Sequence, residues 1–283
     1  KAKVKETGKS KLHGTIVTFE ADPTIFKEIA FDYNKVVAHV RQQAYLVKGL
    51  HITVIDARNV TKVPEGYYLA DTDIEAPSQT FYFEGGLRSL VAFYNQYQTA
   101  VHKNIFYVEK NDYDEMVMSV EVSLQYVDDI SARITAFANN IYTPEGGTHI
   151  TGFKTALTRT LNNYARKNKL VKEAEENFTG DDALEGLTAV VSVKMPEIQF
   201  EGQTKAKLGS VEARGAVESV FSEAFNMFLE ENPDDAKAMI NKVVLALKAR
   251  KAAKAAKDSV LRKGALEGMA LPGKLADCQT KSA

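Results

Sequence analysis

Leu187-Thr188-Ala189-Val190-Val191-Ser192-Val193-Lys194, followed shortly by Phe200-Glu201-Gly202-Gln203-Thr204-Lys205-Ala206-Lys207-Leu208, organises this 283-residue chain. The first run reads as an apolar strand. The second reads as a Gly-flanked turn between that strand and a long helix that starts near Ser210. On this turn sit one amide, Gln203, and two ammonium groups, Lys205 and Lys207. Such a loop can offer donors to an anion without burying a charge. A Lys ammonium is a point charge suited to a terminal phosphate, and an amide adds an oriented hydrogen bond. The ordinary alternative is a solvated surface lysine, and Lys207 reads as that.

Upstream, Thr15–Phe19 is a short β-type run closed by the turn signal Asp22-Pro23. Val36, Val37, Val40, Ala44 and Val47 have helical spacing, and Leu50–Asp56 reads as a strand. Residues 57–79 lack periodicity and read as a loop; Thr80–Phe83 is strand-like. Gly85-Gly86 breaks the chain before a helix with Leu87, Leu90, Val91 and Tyr94 on one face. Met116, Met118, Val120, Val122, Leu124 and Tyr126 alternate strictly, which predicts a half-buried strand, with Ile134–Phe137 as its neighbour. Thr148 is expected to cap a helix whose apolar face is Ile150, Phe153, Leu157, Leu161 and Tyr164. Thr179, with Asp181 and Asp182 behind it, should cap a short helix.

Downstream the chain is helical. Asn232-Pro233-Asp234-Asp235 is a strong helix start. Nothing breaks that helix until about Leu266, so it should run ~50 Å and act as a strut. Strands with segregated helices argue an α+β fold.

Hydrophobic content of 45%, charged content of 26% and a net charge of −1 describe a globular chain with no overall demand for an anionic partner. The single Cys278 excludes a disulfide scaffold and a thiolate metal cluster, which fits a reducing cytoplasm. No apolar run approaches the ~20 residues of a membrane span. Neither end reads as a natural terminus, so the chain is expected to be a fragment.

The long helix carries a basic stripe of Lys248, Arg250, Lys251, Lys254, Lys257, Arg262 and Lys263. It reads either as a solvated helix or as a surface for duplex phosphates bound by counterion release. Without interleaved aromatics, stacking on single strands is disfavoured. The five histidines (13, 39, 51, 102 and 149) have no metal spacing, and His149 reads as a structural helix-start residue. Asp71 and Asp73 read as a solvated acidic loop. Neither Gly pair has the GxxxxGK[ST] pattern of a phosphate loop. No catalytic or metal-ligating residue is assigned.

Glu185–Lys194, Phe200–Leu208, Gly146–Leu157 and Leu271-Pro272-Gly273-Lys274-Leu275-Ala276-Asp277-Cys278 together resemble the ATPase subunit of bacterial type IIA topoisomerases, in its transducer domain and most closely in the gyrase B family. The likeness runs from Gly14 to Cys278. It implies a ribosomal-protein-like βαβ sheet with helices on one face, ending in a long helix. Residues 1–30 would be the tail of a GHKL-type ATP-binding domain, 31–268 the transducer, and 269–283 the lead-in to a TOPRIM domain. Gln203 and Lys205 would reach the terminal phosphate of ATP in the neighbouring domain. The Mg²⁺ sites and catalytic Glu would lie outside this chain.

The implied partners are double-stranded DNA, a DNA-cleaving A subunit in an A2B2 heterotetramer, and a second copy joined on ATP binding; no membrane is involved. Lys154, Lys251 and Lys254 would face DNA in a cavity between paired transducers. The implied activity is coupling of ATP binding and hydrolysis to strand passage and negative supercoiling, in the cytoplasm. Two alternatives stand beside it: the equivalent ATPase component of topoisomerase IV, and a non-catalytic nucleic-acid-binding domain of similar fold.

Overall fold

The computed structural model describes Lys5 and residues 14–15, 17–61, 75–172 and 174–267, with the helix backbone alone over 261–267. Asp71, Asp73, the Leu271–Cys278 run and the side chains of Arg262 and Lys263 lie outside the described residues. Two compact units meet in sequence at Glu84 and Gly85, a division that falls inside the 31–268 span.

In the first unit, the Asp32 carboxylate accepts from the amides of Asn34 and Lys35 and so caps α1 (Tyr33–Leu46). Val37 and Ala44 of α1 pack with Phe81 over an antiparallel pair, β1 (Ile52–Ile55) and β2 (Ser78–Phe81). Asp22 forms the expected turn, taking the Thr24 amide on its side chain and the Phe26 amide on its carbonyl. The described residues of the Thr15–Phe19 run, Thr15 and 17–19, are not in a strand. Val17 and Phe19 are 77% and 75% exposed, and an extended apolar segment becomes a strand only when a ladder partner takes its backbone groups.

The second unit runs α2 (Gly86–Tyr94), β3 (Phe106–Asn111), β4 (Ser119–Tyr126), β5 (Arg133–Ala138), β6 (Ile141–Tyr142), α3 (Thr148–Lys167), α4 (Gly180–Leu184), β7 (Leu187–Lys194), α5 (Glu212–Glu231) and α6 (Pro233–Glu267). Its sheet order is β3-β4-β7-β5-β6. The sequence predicts β5 as the neighbour of β4, but β7 lies between them, antiparallel to β4 and parallel to β5. A parallel pair needs a helical crossover, and α3 and α4 supply it between β5 and β7.

Strand β4 is buried on both faces, where sequence alternation predicts one wet face. Val120, Val122, Leu124 and Tyr126 enter the main core with α3, α5 and the first half of α6. Ser119, Glu121, Ser123 and Gln125 point the other way and are buried too. Helices therefore cover both faces, not one, because α2 lies over this second side. Its C-cap Asn95 donates to Gln125 at 3.0 Å and accepts from Thr188 at 2.7 Å. Tyr107 donates to Glu121 at 2.9 Å, and Ser123 to the Phe106 carbonyl. Glu121, Ser123 and Gln125 thus each keep a partner, which makes their burial tolerable.

The N-cap expected at Thr148 is used elsewhere. Thr148 is the first residue of α3 and its hydroxyl donates to the Ser210 carbonyl at 2.6 Å; Gly147 occupies the cap. Ser210 accepts the Gln199 amide, and α5 starts two residues later. Thr179 does form a capping box with Asp182. Phe106, Phe153, Phe221 and Phe225 meet at centroid distances of 4.9–5.5 Å in the core. Among the described side chains of α6, Ala236, Met239, Ile240, Val243, Ala246 and Leu247 are buried, whereas residues 252–260 are exposed.

Candidate functional site

Residues 199–209 form a narrow antiparallel loop. Phe200 pairs with Leu208, the Glu201 amide donates to the Lys207 carbonyl at 2.9 Å, and the Gly209 amide to the Gln199 carbonyl at 2.8 Å. At its tip the Lys205 amide closes on the Gly202 carbonyl at 3.2 Å, with Gln203 and Thr204 between them. Gly202 has φ +121°, a backbone reserved for glycine although a Cβ there would meet nothing. Lys205 itself is left-handed at φ +55°, which costs an L-residue roughly 1–2 kcal/mol.

The structure brings Gln203 and Lys205 together on this tip, both exposed. The Lys205 ammonium stands 5.9 Å from the Phe200 ring centroid, at the outer reach of a cation–π contact. Lys207 turns to Glu201 in a surface ion pair of 2.9 Å. The tip therefore presents one amide and one ammonium, and the second ammonium is already partnered.

Sequence reasoning misses what holds the base. The Glu145 amide donates to the Ala206 carbonyl at 3.0 Å, Leu208 to Gly146 at 2.9 Å, and Thr148 to Leu208 at 3.1 Å. In the sequence Gly146-Gly147 reads only as the lead-in to a helix; in the fold it is a short parallel rung against Leu208. Behind it His149 is fully buried, and burial lowers its pKa to about 4. The imidazole is thus neutral at pH 7, in keeping with a structural role.

The basic positions are dispersed. Lys154 lies exposed on α3, beside a groove it shares with Arg159, Asn162 and Asn177. On α6, Arg250 makes a two-pronged contact with the buried carboxylate of Asp182, at 2.9 and 3.0 Å. Burial alone would raise that carboxyl, but the Arg250 and Thr179 hydrogen bonds outweigh it and hold its pKa below the ordinary value. The Lys251 ammonium bonds Glu175, which raises the lysine and lowers the acid. Lys248, Lys254 and Lys257 are exposed. No group of three or more potential metal ligands occurs among the described residues, and no described helix is long and apolar enough to cross a membrane.

Known proteins are similar to this chain in sequence and in fold. The DNA gyrase B protein of Clostridium acetobutylicum is 46% identical over 276 residues, which are 98% of this chain and 40% of that protein. The Enterococcus faecalis protein of the same name is 47% identical over 95% of this chain and 39% of its own length. This chain thus spans about two fifths of those relatives. A crystal structure of the 43K ATPase domain of Thermus thermophilus gyrase B, in complex with an aminocoumarin, superposes with a TM-score of 0.70 at 38% identity, over 84% of this chain and 59% of that one. A topoisomerase IV ATP-binding domain of Francisella tularensis shares the fold at a TM-score of 0.63 and 22% identity, over 81% of this chain and 57% of its own. A family model for DNA gyrase B matches residues 86–259, from the first turn of α2 into the exposed half of α6, and by that match the chain belongs to the DNA gyrase B family.

Proposed function

We propose that this chain is the transducer region of the B component of an ATP-dependent type II topoisomerase. In that role it couples ATP binding and hydrolysis to DNA strand passage and negative supercoiling. The observation that carries the reading is the Gly202–Lys205 tip, which presents Gln203 and Lys205 outward from a base fixed by backbone bonds. The ammonium of Lys205 would meet the terminal phosphate of an ATP held elsewhere, where negative charge grows as the phosphoryl group leaves; Gln203 would add a neutral hydrogen bond. ATP and Mg²⁺ would be bound outside this chain.

In the same reading, residues 1–30 end the ATP-binding domain, 31–268 form the transducer and 269–283 lead into a TOPRIM domain. The partners are duplex DNA, an A subunit in an A2B2 assembly and a second copy of the gyrase B protein, in the cytoplasm. Lys154, Lys251 and Lys254 face the DNA. Membership in the gyrase B family supports gyrase over topoisomerase IV, and a supercoiling assay with the A subunit tests that choice.

The direct experiment is steady-state ATP hydrolysis by an intact gyrase B protein carrying this chain. Lys205→Ala should lower turnover by roughly 10²–10³, the usual cost of one preorganised electrostatic partner. Gln203→Ala loses a neutral bond of about 1 kcal/mol and should be milder. Lys207→Ala breaks only a surface pair and should be almost silent. The 283-residue chain alone should show no saturable ATPase activity. Wild-type turnover in Lys205→Ala, or a worse lesion at Lys207, would sink the assignment.

A further inference from the structure

A phosphate contact requires the loop tip to be held at one distance from a ligand outside it, and the tip cannot do this itself. Gln203, Thr204 and Lys205 are exposed, and the turn closes on the single bond from Lys205 to Gly202. The fixing groups lie in another part of the chain, residues 145–148. Three backbone bonds run between this segment and residues 206–208, and the Thr148 hydroxyl adds a fourth bond to the Ser210 carbonyl at 2.6 Å.

Gly147 makes this approach possible. A Cβ there would stand 2.5 Å from the Leu208 nitrogen and 2.8 Å from its Cα, and closer still to its carbonyl oxygen. Its φ of +131° also excludes an ordinary side chain. The three nearest atoms met are all backbone of the loop at Leu208, so a side chain at 147 presses first on the loop. The segment continues without a break into α3, whose Phe153, Leu157 and Leu161 are fully buried. One turn further on, Gly152 lies against the Arg214 backbone of α5. The loop is therefore tied to the packed core of the unit.

We infer that Gly147 and Thr148 are positioning residues for Lys205: they set where the loop tip stands and, through α3, refer it to the core. The inference rests on the reading of Lys205 as the phosphate contact. Neither residue touches the nucleotide in this scheme. Their effect passes through the loop alone, which gives it a kinetic signature that a purely structural role lacks.

The experiment measures kcat and KM for ATP in an intact gyrase B protein carrying this chain, for Gly147→Ala, Lys205→Ala and the double variant, at matched melting temperatures. Displacing the tip by about an ångström should lower kcat about 10²-fold in Gly147→Ala. KM should stay within about twofold, since the nucleotide is held elsewhere. The double variant should be no slower than Lys205→Ala alone, because a residue acting only through Lys205 has nothing left to position. Thr148→Val removes one hydroxyl at constant shape and should cost a smaller part of kcat, recovered by Thr148→Ser. Should Gly147→Ala fail to fold, Thr148→Val alone and with Lys205→Ala carries the same comparison. Losses that multiply in the double variant overturn the positioning role and leave the phosphate contact standing. Wild-type turnover in Lys205→Ala removes both.

Discussion

The two halves of α6 share one unbroken helical backbone and have opposite surroundings. From Ala236 to Leu247 the helix is part of the main core, with Met239, Ile240 and Val243 fully buried. From residue 252 to 260 every position is exposed. A helix is held mainly by the packing of one face, so propensity must carry the exposed run 252–260, whose alanines and lysines are strong helix formers. The first half belongs to the fold; the second is extended from it. Arg250 and Lys251 mark the change, bonded to Asp182 and Glu175 just before the exposed run begins.

Leu247→Ala and Val260→Ala test this contrast most strongly. Leu247 is fully buried and its truncation leaves a cavity, so the chain should lose about 2–5 kcal/mol. Val260 is 69% exposed, and its truncation should change stability by less than about 0.5 kcal/mol. Chemical denaturation of the two variants reads both. Equal losses would mean that the outer half is also packed.

Acid should attack the docked half from its first turn. Asp235 accepts the amides of Lys103 and Asn104 at 3.2 and 3.0 Å, and the adjoining His102 accepts the Tyr126 amide on Nε2 at 2.9 Å. Burial lowers His102 to about 4, against smaller upward pulls from Asp235 and the Asn104 backbone bond. His149 is likewise lowered to about 4 by burial. Both rings are kept neutral in the fold and take up protons near pH 6.5 once unfolded. The histidine contribution to stability should therefore fall as pH drops from about 6.5 to about 4, by on the order of 3 kcal/mol per histidine, and below that protonation of Asp182 and Glu175, both held low in the fold, continues the loss. His149→Leu should flatten the profile by about half across that window. A profile flat from about pH 7 to about pH 4 would contradict the burial of both rings.

What the sequence disclosed follows from where each signal resides. The apolar face of α3 was legible because Ile150, Phe153, Leu157 and Leu161 announce it through side chains at helical spacing. Strand β4 was legible as a strand, but its second face was not. Glu121, Ser123 and Gln125 look solvated in one dimension. Their burial depends on Tyr107, Asn95 and Thr188, which arrive from elsewhere in the chain. Strand β3 escaped notice because only its first half, Phe106 to Val108, turns inward. The loop showed its chemistry in residue types, whereas its clamp consists of amides and carbonyls that nearly every residue carries. Only the glycines at 146 and 147 hinted at it, and a helix lead-in explains glycines equally well.

At the junction, Arg250→Met should cost about 1–3 kcal/mol, since it strands the buried Asp182 carboxylate without its main partner while keeping much of the side-chain bulk. Asp182 would still accept the Thr179 amide at 2.8 Å, which limits the loss. Urea denaturation of the variant decides it. If stability is unchanged, α6 is held by its apolar face alone, and the salt bridge does not define where docking ends.

The smallest stability effect and the most informative functional one belong to the exposed half. Lys254→Glu should leave folding within about 0.5 kcal/mol of wild type, because an exposed helix residue has little to lose. Lys251→Glu should be somewhat worse, since it sets two carboxylates face to face at Glu175. For DNA the order should reverse. The Lys251 charge is already partly spent on Glu175, whereas Lys254 is exposed, so Lys254→Ala should weaken duplex binding more than Lys251→Ala. Each lost phosphate contact should reduce the slope of log K against log salt by about one, for any sequence of duplex. Titrating duplex onto an intact gyrase B protein across salt concentrations, for the two alanine variants, gives that slope. An unchanged slope in Lys254→Ala would make the outer half a spacer with a solvated charge. A larger change at Lys251 than at Lys254 would mean that DNA competes Glu175 away from its lysine, moving the contact surface inward to the junction itself.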